Sequence, residues 1–121
     1  MKNKNILKSF YHAFSGLFSC LKTERNLKIH VSVMILVIIF GLILKISASE
    51  WLTCLIFFAM VIGAELFNTS LEETVNLACP KIYKTAKIAK DASAAAVLVF
   101  AIFSVIAGLI IFLPKIILIL K

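Results

Sequence analysis

Long apolar runs separated by short polar segments dominate this sequence. The runs cover residues 29–46, 51–71 and 92–113, and each comes near the roughly 20 residues that a helix needs to cross a bilayer. The polar segment TERNLKIH precedes the first run, and SASE separates the first run from the second. Pro80 is expected to end the second helix and Pro114 the third. The pattern predicts an all-α integral membrane protein with three spans and a single domain over residues 1–121.

Residues 5–22 follow a different pattern. Their apolar side chains recur at helical spacing, while basic and other polar side chains fall largely on the other faces. The pattern predicts an amphipathic helix that lies in the membrane interface. Packing against the other helices would use the same apolar stripe, and both arrangements can hold at once. The stripe consists of Ile6, Leu7, Phe10, Phe14, Leu17, Phe18 and Leu21.

Composition supports the membrane interpretation. Apolar residues make up 62% of the chain, and the mean hydropathy is +1.06. The chain is therefore not expected to form a soluble catalytic core around a nucleotide pocket. Its net charge of +7 would suggest nucleic acid in a soluble protein, but no nucleic-acid-binding motif accompanies it. We expect no nucleic-acid partner, and the basic segments instead to orient the protein and meet anionic lipid.

The distribution of lysine and arginine predicts the orientation in the membrane. The N-terminal segment carries six, and the segment CPKIYKTAKIAKD, a loop or short helix between the second and third spans, carries four. The first connection carries one and the C-terminal end two. Because the side richer in these residues normally faces the cytoplasm, we expect the N-terminus inside and the C-terminus outside.

Acidic and amide side chains form a stripe where the second span ends, in AELFNTSLEETVN. Glu65, Asn68, Glu72 and Asn76 stand at i, i+3, i+7 and i+11 and so share one narrow helical face. Glu65 lies about 10 Å deeper in the membrane than Glu72, and an ionisable group at such depth normally has a function. Polar contacts between helices are the alternative, but two carboxylates on one face fit it less well because like charges repel.

The predicted topology brings this stripe to the cytoplasmic face together with Glu24 and Lys90. Glu24 and Glu72, nearest the water, are suited to Mg²⁺, which prefers oxygen ligands and often bridges to substrate phosphates. Lys90 can attract phosphate oxygens, and Glu65 can accept a proton from a hydroxyl group in the lipid. The arrangement predicts phosphoryl transfer from a nucleotide to a lipid alcohol. The phosphate-binding and catalytic motifs of soluble kinases are absent from the sequence.

The motif E-x-x-N-[ST]-x-x-E, followed by AKIAKDASAAAVL, closely resembles the signature of the small bacterial diacylglycerol kinase family. The resemblance runs from about Lys8 to Pro114, and KTERNLKIH and GLIIFLPKI resemble the Gram-positive branch, which generally phosphorylates undecaprenol. It implies an ATP- and Mg²⁺-dependent lipid kinase of the bacterial plasma membrane, with undecaprenol as substrate and diacylglycerol as the alternative. It also implies a homotrimer with sites shared between subunits, in which residues 92–96 offer small side chains for close helix packing.

The resemblance also implies roles for individual residues. Glu65 matches the general base, and Glu24 and Glu72 match the metal-binding pair. The positions that match nucleotide-site residues are Asn68, Lys90 and Asp91. The corresponding places without a matching motif are occupied by Lys81, Tyr83 and His12. For His12 and His30, a polar residue at the membrane interface is at least as plausible as a functional one. Asn76 departs from the family, since many members have Asp there.

Two other functions fit parts of the pattern. A small proton-coupled multidrug transporter has a similar length and one membrane-embedded glutamate, but usually four spans with that glutamate inside an early helix. A non-catalytic accessory subunit would tolerate Glu65→Gln. The clustering of glutamates at a helix end, beside a basic segment, favours the kinase over both.

Overall fold

The computed structural model describes residues 5–81 and 83–121, and this part of the chain forms four α-helices. They are α1 (Asn5–Thr23), α2 (Arg25–Leu44), α3 (Ala48–Ala78) and α4 (Lys84–Leu120). Helices α2, α3 and α4 are each long and apolar enough to cross a membrane. The predicted all-α fold is therefore confirmed, with three helices that suit the predicted spans. Lys2 and Lys4, which entered the charge count, lie outside the described residues, as does Ile82.

Helix α3 extends beyond the predicted span of residues 51–71 at both ends. Its start is set by Ser47, whose Oγ accepts a hydrogen bond from the backbone N–H of Glu50 at 3.2 Å. The Glu50 carboxylate in turn accepts from the backbone N–H of Ser47 at 2.9 Å, which completes a capping box. The helix ends at Ala78, two residues before Pro80, as predicted. Its last turns carry the polar stripe past the apolar part of the span.

Helix α4 corrects two expectations. Residues 84–91 form its first two turns rather than a separate loop or short helix, and the helix continues through Pro114 to Leu120. The expectation that Pro114 ends this helix is therefore wrong. Proline removes one backbone hydrogen bond, but membrane helices tolerate this where neighbouring groups satisfy the freed carbonyl. Just past the proline, Lys115 Nζ lies 3.2 Å from Glu50 Oε1 and links α4 to the first turn of α3.

Helices α2 and α3 approach closely at the end of the bundle away from the polar stripe. Lys45 adopts a left-handed conformation with φ 52°, and the next N–H, of Ile46, bonds the Gly41 carbonyl at 3.2 Å. A Cβ at Gly41 would lie 2.7 Å from Cη2 of Trp51, which leaves room only for glycine. Ile46 also belongs to the small buried cluster at this end, with Cys54 and Ile111.

Most large apolar side chains face outward. Helix α3 packs along α4 and against α2, and α1 touches α2 and α3, yet α1 has no buried residue. In a protein dissolved in water, such exposure would leave a large apolar surface in solvent. On helices of spanning length, the same surface is suited to lipid and to other helices.

Candidate functional site

The polar stripe of α3 (Glu65, Asn68, Glu72 and Asn76) runs from the interior of the bundle to its surface. Glu65 is 2% exposed and Asn68 6% exposed. Glu72 is half-buried and Asn76 exposed. Together with Thr69, Glu65 and Asn68 are the buried polar side chains of the described residues. The predicted difference in depth therefore appears as a gradient of burial, with one carboxylate inside the protein and the other near its surface.

Asn68 connects the stripe to helix α4. Its Nδ2 donates to Glu72 Oε1 at 3.2 Å, one turn further along α3. Its Oδ1 accepts a hydrogen bond from Ser93 Oγ of α4 at 2.6 Å. From the sequence, Ser93 is expected only to be one of the small residues of α4, and nothing in its local pattern marks it as a partner of the stripe. The two hydrogen bonds fix the Asn68 amide and restrain the Glu72 carboxylate.

Lys90 and Asp91, predicted together as nucleotide-site residues, have different partners. The Lys90 ammonium donates to Asn76 Oδ1 across the α3–α4 packing. Asp91 instead pairs with Lys87 on its own helix, with 2.5 Å between Lys87 Nζ and Asp91 Oδ2, and both side chains are largely exposed. Lys90 thus joins the outer end of the stripe, whereas Asp91 lies on the surface of the first turns of α4.

Helix α2 brings two residues toward the inner carboxylate. His30 Nε2 lies 3.7 Å from Glu65 Oε2. Glu24, the residue before α2, is half-buried and makes no capping hydrogen bond with its side chain. Both Glu24 and Glu72 lie close enough to Glu65 for their charges to interact with it. Leu27, between Glu24 and His30, is 0% exposed and anchors this part of α2 in the bundle.

Three predicted site residues stay apart from the stripe. His12, Lys81 and Tyr83 are exposed, and no hydrogen bond or ion pair within residues 5–81 and 83–121 joins their side chains to it. The His12 ring stands edge-on to Tyr11, with centroids 5.6 Å apart. Tyr83 occupies the position just before α4. The roles suggested for these residues from their position stay predictions.

The carboxylates near Glu65 are the type of ligand that a magnesium ion held jointly with a phosphate-bearing substrate would use. Across the described parts of the chain, no three His, Cys, Asp or Glu side chains are grouped so as to hold a metal by themselves. Mg²⁺ commonly takes only one or two carboxylates from a protein and fills its other positions with waters and phosphate oxygens. Glu24 and Glu72 supply two such carboxylates, and Asn68 engages one oxygen of Glu72.

An apolar cavity of about 210 Å³ lies between α2, α3 and α4 within the spanning region. Val33, Val61 and Ile111 contribute to its apolar lining, and His30 belongs to the lining as well. His30 therefore stands between the Glu65 carboxylate and an apolar space inside the bundle.

Comparison with known proteins identifies the family. The family model of prokaryotic diacylglycerol kinase matches residues 11–112. The chain belongs to this family. It is 44% identical over 108 residues to the undecaprenol kinase of Bacillus subtilis (strain 168), covering 89% of this chain and 88% of that protein. It is 38% identical over 111 residues to the diacylglycerol kinase of Synechocystis sp., covering 91% of this chain and 63% of that protein.

Family membership confirms the resemblance stated from the motifs, including the branch similar to undecaprenol kinase. Both relatives bear the names of lipid kinases, and the chain is accordingly a lipid kinase. The multidrug-transporter and accessory-subunit alternatives are set aside. The family match runs from α1 through nearly all of the bundle, so the polar stripe, Glu24 and Lys90 all lie inside it.

Proposed function

We propose that this protein transfers the γ-phosphoryl group of ATP to undecaprenol, giving undecaprenyl phosphate, in a Mg²⁺-dependent reaction. The observation that carries the proposal is the stripe that leads from the buried Glu65 carboxylate to Glu72 and Lys90 at the surface. The similarity to the Bacillus protein favours undecaprenol as the lipid alcohol. Diacylglycerol is the second candidate, because the Synechocystis relative bears that name.

Glu65 is suited to the step at the lipid hydroxyl. Its carboxylate is buried, and His30 beside it lines an apolar cavity in which a membrane alcohol can present its hydroxyl group. The hydroxyl oxygen attacks the γ-phosphorus, and its proton passes to the Glu65 carboxylate. The bond from the γ-phosphorus to the bridging oxygen breaks, and that oxygen leaves with the electron pair as part of ADP. The products are the lipid phosphate, ADP and the proton held by Glu65.

The outer part of the stripe is suited to phosphates. We assign Glu24 and Glu72 to a shared Mg²⁺, which when bound neutralises charge on the phosphate oxygens. Lys90, held by Asn76, adds a positive charge near the surface. Asn68 supports the Glu72 carboxylate and lies between Glu72 and the buried Glu65 along the stripe. Further contacts with the nucleotide are proposed for Asp91, which matches the family motif, and on sequence position alone for Lys81, Tyr83 and His12.

We further propose that the site faces the cytoplasm of a bacterial plasma membrane, with the N-terminus inside and the C-terminus outside. The support is the excess of lysine and arginine in the N-terminal segment and in the segment between the second and third spans. In this arrangement α1 lies along the cytoplasmic interface, in keeping with its lack of buried residues. A homotrimer is supported by Ala94, Ala95 and Ala96, which are exposed on α4 and allow a neighbouring helix to approach closely.

The test is a phosphorylation assay with purified protein in mixed micelles, labelled ATP, and undecaprenol or diacylglycerol in parallel. Undecaprenol is expected to be phosphorylated faster. Glu65→Gln keeps the shape of the side chain but removes the base, and it should lower kcat by a factor of about 100 or more. Glu73→Gln is the matched control, since Glu73 is exposed on the same helix beside the stripe. Failure of the wild-type protein to phosphorylate either lipid, or equal activity of the two variants, would refute the proposal.

A further inference from the structure

We propose that His30 is a positioning residue for Glu65, holding its carboxylate toward the lipid hydroxyl. The inference rests on the proposed function, in which Glu65 is the general base. His30 Nε2 and Glu65 Oε2 are 3.7 Å apart, and the two residues come from different helices, α2 and α3. The sequence pattern gives no reason to pair them, because 35 positions separate them along the chain.

A carboxylate as deeply buried as Glu65 needs polar partners, of which the Asn68 amide on its own helix is one. The Glu65 side chain is 3% exposed, and the two nearby charged groups of α3 and the α1–α2 joint, Glu72 and Glu24, are themselves acidic. Repulsion from those two carboxylates would turn Glu65 away from the stripe or leave its rotamer undefined. Within the described residues, the basic group in ion-pair range of Glu65 is the His30 imidazole. An imidazole in this position opposes the repulsion and favours one rotamer of Glu65.

The position of the ring also gives the contact a direction. His30 is 22% exposed and lines the apolar cavity between α2, α3 and α4. Engagement of Oε2 by the imidazole leaves Oε1 as the free oxygen for a hydroxyl proton. A separation of 3.7 Å is longer than a direct hydrogen bond. Catalytic contacts are often this loose without substrate and tighten when it binds. Leu27, one turn away and fully buried, holds this turn of α2 in place.

The test compares variants that separate donation of a hydrogen bond from filling of space. His30→Phe keeps a ring but loses both nitrogens, and we expect kcat to fall about tenfold or more with the KM for ATP unchanged. His30→Gln places an amide N–H near the position of Nε2, and it should recover most of the lost rate. Ser32→Ala is the control on the same helix, because the Ser32 hydroxyl is exposed and, among the described residues, bonds only the Lys28 carbonyl. It should retain the wild-type rate.

A second comparison shows whether His30 acts through Glu65. In Glu65→Asp the carboxylate is withdrawn by one methylene, so adding His30→Phe should cost clearly less than it does in the wild-type background. Equal costs in the two backgrounds overturn the proposal. So does a His30→Phe variant with wild-type kcat, or a His30→Gln variant that is as slow as His30→Phe.

If His30→Phe does not fold, His30→Leu replaces it in the comparison with His30→Gln. Equal rates of those two variants then overturn the inference. A wild-type protein that phosphorylates neither lipid refutes the proposed function and with it this assignment. If the wild-type protein is active and His30→Phe is equally active, only the role of His30 is refuted and the proposed function stands.

Discussion

The hydrogen bond between Ser93 and Asn68 allows a quantitative test of how α4 supports the polar stripe. Ser93→Ala removes the hydroxyl that donates to Asn68 Oδ1 at 2.6 Å and leaves that oxygen buried without its donor. A net hydrogen bond contributes about 0.5–1.5 kcal/mol in proteins, and hydrogen bonds between membrane helices average about 0.6 kcal/mol. The expected loss of stability is therefore about 0.6–1.5 kcal/mol.

Both stability and activity should report this loss. In a chain of this size 1 kcal/mol corresponds to about 4 °C in the unfolding midpoint, so Ser93→Ala should unfold about 2–6 °C lower in detergent. Asn68 also donates to Glu72, and loosening its amide weakens the restraint on that carboxylate. The KM for Mg·ATP is expected to rise about twofold to fivefold, the factor that corresponds to 0.4–1 kcal/mol. The measurements are thermal unfolding by circular dichroism and initial rates over a range of Mg·ATP concentrations.

Ser104→Ala provides the matched control. It is the same substitution on the same helix, but within the described part of the chain the Ser104 hydroxyl donates only to the Ala101 carbonyl of its own helix, at 2.8 Å. We expect its midpoint and KM to stay near those of the wild type. The reasoning is refuted if Ser93→Ala and Ser104→Ala have the same midpoint and the same KM, since the contact between the helices would then contribute nothing measurable.

Two further substitutions test the two ends of the bundle. Gly41→Ala forces a Cβ to within 2.7 Å of the Trp51 ring and should cost about 1–3 kcal/mol of stability. A Cβ at Gly63 would meet nothing within 4 Å, so Gly63→Ala should not destabilise the protein. Equal unfolding midpoints of the two variants would contradict this expectation. Asn76→Ala removes the acceptor of Lys90 and should raise the KM for ATP about fivefold, the factor that corresponds to about 1 kcal/mol. Asn76→Asp keeps an acceptor and should retain a KM near the wild-type value. An unchanged KM in Asn76→Ala would contradict a role of Asn76 in positioning Lys90.

The features that could be predicted from the sequence are those set by local periodicity. The stripe of α3 follows from the helical repeat alone, and its gradient of burial follows from its place at the end of an apolar run. The alternation of apolar runs and polar segments was enough to predict three spans. The observed start of α3 is three residues before the predicted one, because the capping box of Ser47 and Glu50 begins the helix inside the polar segment between the runs.

The features that could not be predicted depend on how one helix packs against another. The contact of His30 with Glu65 and that of Ser93 with Asn68 each join two helices. Such contacts depend on how the helices are rotated relative to each other, and this rotation is set by packing. The expectation that Pro114 ends its helix was wrong because the surroundings of a helix change the effect of a proline. Proline disrupts a helix in water, but in a spanning segment the cost of leaving the helix is greater than the loss of one hydrogen bond.

The stripe is held by several helices, and this division has a consequence for its chemistry. Glu65 is approached from α2, whereas Asn68 and Asn76 are held from α4. A change on α2 should therefore act first on the step at the lipid hydroxyl, and a change on α4 on the binding of phosphate and metal. The side chain at position 76 fits this division, because its oxygen accepts from the Lys90 ammonium and so holds that group at the outer end of the stripe.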